Sequence, residues 1–415
     1  MSIMAVGIGL SAYGAEDAGQ LFAGTSKVDI TPPSGIAMCG YAEGVASQGI
    51  HDPLFARVVV LKDGHVSLAI VSSDLVYLWS NRVITEARKK WNIDYVILNG
   101  SHTHAGPHYH PTAWYSSMED KVIAAIGEAA TNLFPARIGA GMSPFESAYF
   151  GYNRRVVGAD GKVTMLWSNP ARRPVGPTDP TVRVIRIDDD NGKPRALLVH
   201  YACHPVTLGA DNRLISADYP GPMAAHVEQE LGAQCIAMFL QGGGGDVHPY
   251  ETGLSGDYGF QMVLQNGISL GNAALRVAKQ IGSPENKIPA VIKVKESVLA
   301  IPYREDRAKT ADVAVMAVVI NNDIALAVIS YEPFVQHQLD LVAKSPLKNT
   351  FLLGYSYFGK GVPLDTYLPT IQATKEGGYG AAAGSYNVFD VGAGEKMMDE
   401  AVADIKELMK TGSGK

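Results

Sequence analysis

The chain has 415 residues, 47% of them hydrophobic and 18% charged, enough apolar material for a large core and too much for a disordered polymer. The formal net charge is −6 and lysine and arginine form no cluster, which excludes the electrostatic footprint of a nucleic-acid partner. No apolar run reaches the ~18 residues of a membrane-spanning helix, so contact with a membrane is at most a transient one at its surface.

Residues 1–15 are apolar and small, are followed at once by Glu16 and Asp17, and read as the remnant of a secretory signal peptide. That reading puts the mature protein in the periplasm or outside the cell; the alternative is a packed or free N-terminal arm. Residues 16–415 contain no Pro/Ser-rich linker, charge run or repeat and read as one domain. Two β-branched runs, 56–61 and 66–72, flank Lys62-Asp63-Gly64-His65 and predict a hairpin. Ser80 precedes a stretch with Val83, Ile84 and Ala87 on one face and Arg88-Lys89-Lys90 at its end, a capped helix. Strands follow at 95–98, at 181–187 and 195–201 around an Asp-rich turn, and at 236–240. Helices are expected over 222–231 and 258–281, strands over 291–297, 313–320 and 325–330, and a closing amphipathic helix over 395–409. The three cysteines, Cys39, Cys203 and Cys235, are odd in number and far apart and read as buried free thiols. Hairpins rule out a purely parallel sheet, so the expected class is α/β with mixed β-sheets stacked centrally and flanked by helices.

Four polar motifs each end a different apolar strand. Asn99-Gly100-Ser101-His102-Thr103-His104-Ala105-Gly106-Pro107 carries a His-x-His; in extended backbone its imidazoles share a side and converge on one ion, or on an ion and its water. Taken alone, ordinary loop histidines fit the motif equally well. His204 follows a strand and stands where Pro205 stops regular pairing. His200 lies inside that strand, where a satisfied core imidazole is the commoner outcome. Gln241-Gly242-Gly243-Gly244-Gly245-Asp246-Val247-His248-Pro249 permits close backbone approach and lacks the ending of a phosphate-binding loop. Glu332 in Ser330-Tyr331-Glu332-Pro333 is a strand-end carboxylate that needs a partner such as a metal.

With these motifs in hand, the chain resembles the neutral or alkaline non-lysosomal ceramidases from Ala23 to about Tyr386. The resemblance is carried by Lys27-Val28-Asp29-Ile30-Thr31-Pro32-Pro33, Ser101 to Pro107, Tyr152-Asn153-Arg154, His204-Pro205-Val206 and Gly245-Asp246-Val247-x-Pro249, in the family's order. It implies a catalytic zinc held by His102, His204, Glu332 and Tyr367, the last because Tyr367-Leu368-Pro369-Thr370 and Gly377-Gly378-Tyr379 match the family's pair of tyrosines. It further implies His104 as general acid and base, Arg154 and Tyr379 as donors to the substrate carbonyl, and zinc-bound hydroxide as the nucleophile on an N-acyl amide.

Three departures point to a substrate smaller or more polar than ceramide. His248 stands where ceramidases carry serine, which removes an acyl-serine route there and makes His248 a substrate-contacting candidate. His108-Tyr109-His110, with Trp114-Tyr115, replaces small residues after Pro107 and predicts a bulkier, more polar pocket mouth, with Tyr109 touching substrate. The family's additional C-terminal β-sandwich domain is not matched, because the chain ends soon after the catalytic region. A zinc amidohydrolase of a small-molecule N-acyl compound, either a sphingolipid or a smaller, more polar amide, is the leading reading. Zinc chemistry does not select the leaving atom, so an ester- or lactone-cleaving hydrolase is an alternative, and a noncatalytic ligand-binding relative is another.

Overall fold

The computed structural model describes residues 19–41, 44–108, 112–145, 150–285, 287 and 289–410; the expected signal segment and Tyr109 lie outside them. The predicted hairpin forms, with Phe55–Lys62 and Ser67–Ser73 antiparallel and Val58 opposite Val71. These strands belong to a nine-stranded mixed sheet. From one edge it runs Ile236–Gln241, Pro194–Tyr201, Thr181–Asp189, Phe134–Pro144, Phe22–Asp29, Phe55–Lys62, Ser67–Ser73, Tyr95–Gly100 and Ser356–Tyr357. A second sheet holds Ile292–Pro302, Thr310–Ile320, Ile324–Val328 and Asn349–Leu353 in that order.

Side-chain parity shows how the sheets are layered. In Phe55–Lys62, Val59 and Leu61 enter one core cluster while Ala56, Val58 and Val60 enter another. In Thr310–Ile320, Ala314, Met316 and Val318 join the cluster of Val59 and Leu61, while Val313 and Val315 face away. The shared cluster lies between the two sheets, so they stack face to face, and their outer faces are covered by helices. Helices α1 (Asn81–Trp91) and α2 (Ala113–Thr131) and helices α3 (Pro220–Leu231) and α4 (Gly256–Ile281) cover the large sheet; α5 (Val335–Lys344) and α7 (Ala393–Lys410) cover the small one, with the short α6 (Ile371–Glu376) between them in sequence. Burial on both faces explains why these strands read as continuous apolar runs rather than alternating ones. Ser80 caps α1 as expected, its hydroxyl accepting from Val83 N at 3.0 Å.

The large sheet's two halves are joined by only two residue pairs, Phe22↔Pro135 and Ala23↔Phe134. The sheet bends at this join, and strands near its two ends come together. Gln241 N donates to Asn99 Oδ1 at 3.1 Å, and Ser72 Oγ donates to Phe239 O at 2.6 Å. Ile236–Gln241, the neighbour of the strand leading into His204, is thereby brought against the strand leading into His102, although five strands separate the two histidine-bearing strands in the sheet.

Candidate metal and active site

His102 follows Tyr95–Gly100 with φ 68°, a left-handed conformation that costs ~1–2 kcal/mol in a residue bearing a Cβ. A tight turn, rather than the extended alternation expected from sequence, therefore brings the His102 and His104 rings to 4.9 Å. His204 lies 4.9 Å from His102 and 5.6 Å from His104, centroid to centroid. One ring nitrogen from each of the three lies within 4.8 Å of the others. Glu332 arrives from the small sheet's side of the fold, where Glu332–Pro333 pairs in parallel with Tyr367–Leu368 and sets Glu332 opposite Tyr367.

The three inward-facing atoms are mutually close. Glu332 Oε2 is 3.4 Å from His102 Nε2 and 3.2 Å from His204 Nε2. All three atoms are buried and lack a hydrogen-bond partner among the described residues, an arrangement that costs ~1–3 kcal/mol per group unless something fills it. The opposite ring nitrogens are held from behind, His102 Nδ1 at 3.2 Å from Val76 O and His204 Nδ1 at 2.5 Å from Gly244 O. Each can only donate to its carbonyl, so each Nε2 keeps its lone pair for a ligand. Burial lowers His204 to about 4, which keeps it neutral.

His104 differs from these two. Both of its ring nitrogens lack a partner, and burial, followed by the facing His102 and His204, holds its pKa well below 6.5. Its ring rests on Gly40, where an added Cβ would stand 2.6 Å from His104 Cβ, and Tyr41 meets it edge-on at 5.0 Å.

The remaining expected residues surround this centre. Arg154 is buried, with Nη2 donating to Gly245 O at 2.8 Å and Nη1 2.9 Å from His248 Nε2. Because a guanidinium only donates, His248 Nε2 accepts and its proton sits on Nδ1, which has no partner; burial and then Arg154 keep the ring neutral. The Arg154 guanidinium also lies over the Tyr379 and Tyr367 rings, at 5.1 and 5.4 Å. Burial pushes the Tyr367 phenol well above 10, opposed by Arg154. A cavity of about 110 Å³ opens onto His102, His104, Glu332, Tyr367 and Tyr379. His248 and Arg154 stand beside this cavity, not on its lining.

Some expectations are corrected. His108 lines the cavity, but Trp114 and Tyr115 do not add bulk to its mouth. They start α2 and pack inward, the indole donating to Ile30 O and the Tyr115 phenol to Trp79 O, each at 3.2 Å. His200 is the core histidine expected, buried with Nε2 2.8 Å from Leu352 O. Two residues escaped the sequence reading. Tyr77 donates to Glu332 Oε1 at 2.9 Å and also stands 3.0 Å from Asp365 Oδ1, and Asp365 lines the cavity. Asp365 precedes Tyr367 by two residues, and Tyr77 lies just past the end of Ser67–Ser73, the one signal that could have found it.

A profile described as neutral/alkaline non-lysosomal ceramidase, N-terminal, matches residues 22–261, more than half the chain. The chain belongs to that family. Among curated family members, neutral ceramidase A of Dictyostelium discoideum is 28% identical over 265 residues, covering 55% of this chain and 36% of its own. The neutral ceramidase of Mycobacterium tuberculosis is 25% identical over 270 residues, covering 56% and 41%. The match thus spans well under half the length of these relatives. The neutral ceramidase of Pseudomonas aeruginosa superposes with a TM-score of 0.75 at 16% identity, over 94% of this chain and 75% of that one, which establishes the shared fold. A ceramidase described as complexed with C2 gives 0.76 at 17% identity. Within the family match fall His102, His104, Arg154, His204 and His248; Glu332, Tyr367 and Tyr379 come after it and are brought to the site by the fold.

Proposed function

We propose that the protein is a zinc-dependent amidohydrolase that cleaves an N-acyl compound smaller or more polar than ceramide. One observation carries the reading: His102 Nε2, His204 Nε2 and Glu332 Oε2 are buried, unpartnered and 3.2–3.4 Å apart where carboxylate meets imidazole. Ligand atoms ~2.0–2.1 Å from a tetrahedral ion stand about 3.3 Å from one another, so this donor set fits zinc, with Tyr367 beside Glu332 as a fourth protein ligand and a further position left for water. A bound zinc ion supplies Lewis acidity, which polarises the amide carbonyl and makes water nucleophilic near neutral pH.

The chain's own groups supply the remainder. His104, whose ring nitrogens are not locked by a backing carbonyl, takes a proton from the attacking water and hands it to the departing amine, a poor leaving group until protonated. Tyr379, facing the cavity, donates to the oxygen that gains charge at the carbonyl. Arg154 is already tied to Gly245 and His248, so it acts through its positive field and through its hold on the two tyrosine rings. His248 keeps a buried, unpartnered Nδ1–H beside the cavity and shapes the site rather than binding metal, since its Nε2 is already engaged by Arg154. The cavity volume of about 110 Å³ is below the ~300–1,000 Å³ of most small-molecule sites; it encloses the scissile amide and its nearest substituents and little more.

The test is hydrolysis of short N-acyl amides and their matched esters by zinc-loaded protein, with products identified by mass spectrometry. Amide cleavage is expected. Cleavage of esters alone would make the protein an esterase, and binding without turnover would make it a noncatalytic relative.

A further inference from the structure

The cavity wall combines two features whose joint presence the hydrolytic chemistry does not require. Four tyrosines face it, Tyr41, Tyr367, Tyr379 and Tyr386, and with them the carboxylate of Asp365, while among the described residues no lysine or arginine lines it. Tyr379 lies 5.5 Å from Tyr367 and 5.7 Å from Tyr386, centroid to centroid, so the three rings form a continuous aromatic wall. Tyr386 is exposed at the rim, with 57% of its surface accessible. Asp365 is also exposed; one of its oxygens is within reach of the Tyr77 hydroxyl at 3.0 Å. That hydroxyl has a single proton and also reaches Glu332 Oε1, so Tyr77 cannot satisfy both carboxylates.

Arg154 already lies over Tyr367 and Tyr379, but at the rim a carboxylate with no lysine or arginine beside it among the described residues, together with the exposed ring of Tyr386, is the chemistry that recognises an organic cation: the charge pairs with the carboxylate while the ring quadrupole attracts it from the side. We infer that Asp365 and the tyrosine wall select N-acyl compounds whose amine portion carries a second, protonated amino group. This rests on the amidohydrolase reading and adds the substrate class to it. The ammonium sits at the mouth beside Asp365 and Tyr386, and the amide reaches inward to Tyr379 and His104. The same wall disfavours an N-acyl amino acid, whose free carboxylate would face Asp365.

The experiment uses zinc-loaded full-length protein and three compounds sharing one short acyl chain: N-acyl ethylenediamine (cationic), N-acyl ethanolamine (neutral) and N-acyl glycine (anionic). In the wild type, kcat/KM is expected to be on the order of tenfold higher for the cation than for the neutral compound, and lowest for the anion. Asp365→Asn keeps an oxygen for Tyr77 but removes the charge. It should bring the cation-to-neutral ratio close to one while zinc content is retained. Tyr386→Asn, at a position with φ 50° that asparagine tolerates, should lower the same ratio partway. A wild-type preference for the neutral or anionic compound, or a ratio unmoved by Asp365→Asn, overturns the inference. If none of the three is hydrolysed, the amidohydrolase reading fails, and calorimetric binding of the same compounds decides the inference alone: cation preference abolished by Asp365→Asn supports it, and its absence overturns it.

Discussion

What holds each imidazole separates the proposed ligands from the proposed proton carrier. His102 and His204 are locked by carbonyls behind them, and His104 is not. His104→Ala should therefore keep its zinc and lose ~100-fold or more in turnover, the usual cost of removing a general acid or base; zinc analysis beside a kcat measurement decides it, and unchanged turnover would make His104 structural. Tyr77 bonds to the Glu332 oxygen that faces away from the histidines. Partners of this kind are worth ~10–100-fold in metal affinity, so Tyr77→Phe should weaken zinc binding by that amount in a competitive chelator titration. At His248, replacement by serine should retain zinc and shift preference among N-acyl substrates. Loss of zinc in that variant would add His248 to the ligand set and break the present one.

The elements bring these residues together at specific backbone approaches. In the glycine loop, Gly244 supplies the carbonyl behind His204, and a Cβ on Gly245 would stand 2.9 Å from Pro333 O and 3.0 Å from Glu332 O. Gly245→Ala should push the strand carrying Glu332 away, costing ~1–3 kcal/mol of stability and loosening zinc; thermal unfolding with and without added zinc reads both effects. Strand ends bearing His102, His204 and Glu332 were legible in the sequence because each closes a β-branched or apolar run. Phe134–Pro144 was not. It pairs with Thr181–Asp189 along its length, yet its Gly139 and Gly141 are small to make room for Pro284 and Ile281 of the neighbouring layer, and packing of that kind leaves no alternation to read. Tyr77 was hidden for a similar reason, since Leu75-Val76-Tyr77 looks like more core while its hydroxyl serves the site.

At the scale of the whole molecule, stacked sheets between helical layers followed from runs that are apolar on both faces. The convergence of His102 and His204 did not, because it depends on a join two residue pairs long that lets the large sheet bend back on itself. Deep burial also has a consequence for pH. His200 is held down to about 4, chiefly by burial, against an ordinary value of ~6.5. Between these values the unfolded chain takes up a proton that the folded chain refuses, so stability is full above about pH 6.5 and falls as pH drops toward 4. This one group contributes a loss on the order of 3 kcal/mol. The melting temperature of zinc-loaded protein should therefore decline over that window, and less steeply in His200→Asn.

The claim on which everything else depends is that His204 helps hold a catalytic zinc. Zinc content and N-acyl amide turnover, measured on the same preparations of wild-type protein and His204→Ala, test it most directly. About one tightly held zinc per chain, with turnover, is expected in the wild type, and neither in the variant. A His204→Ala protein that retains stoichiometric zinc and full turnover would contradict it.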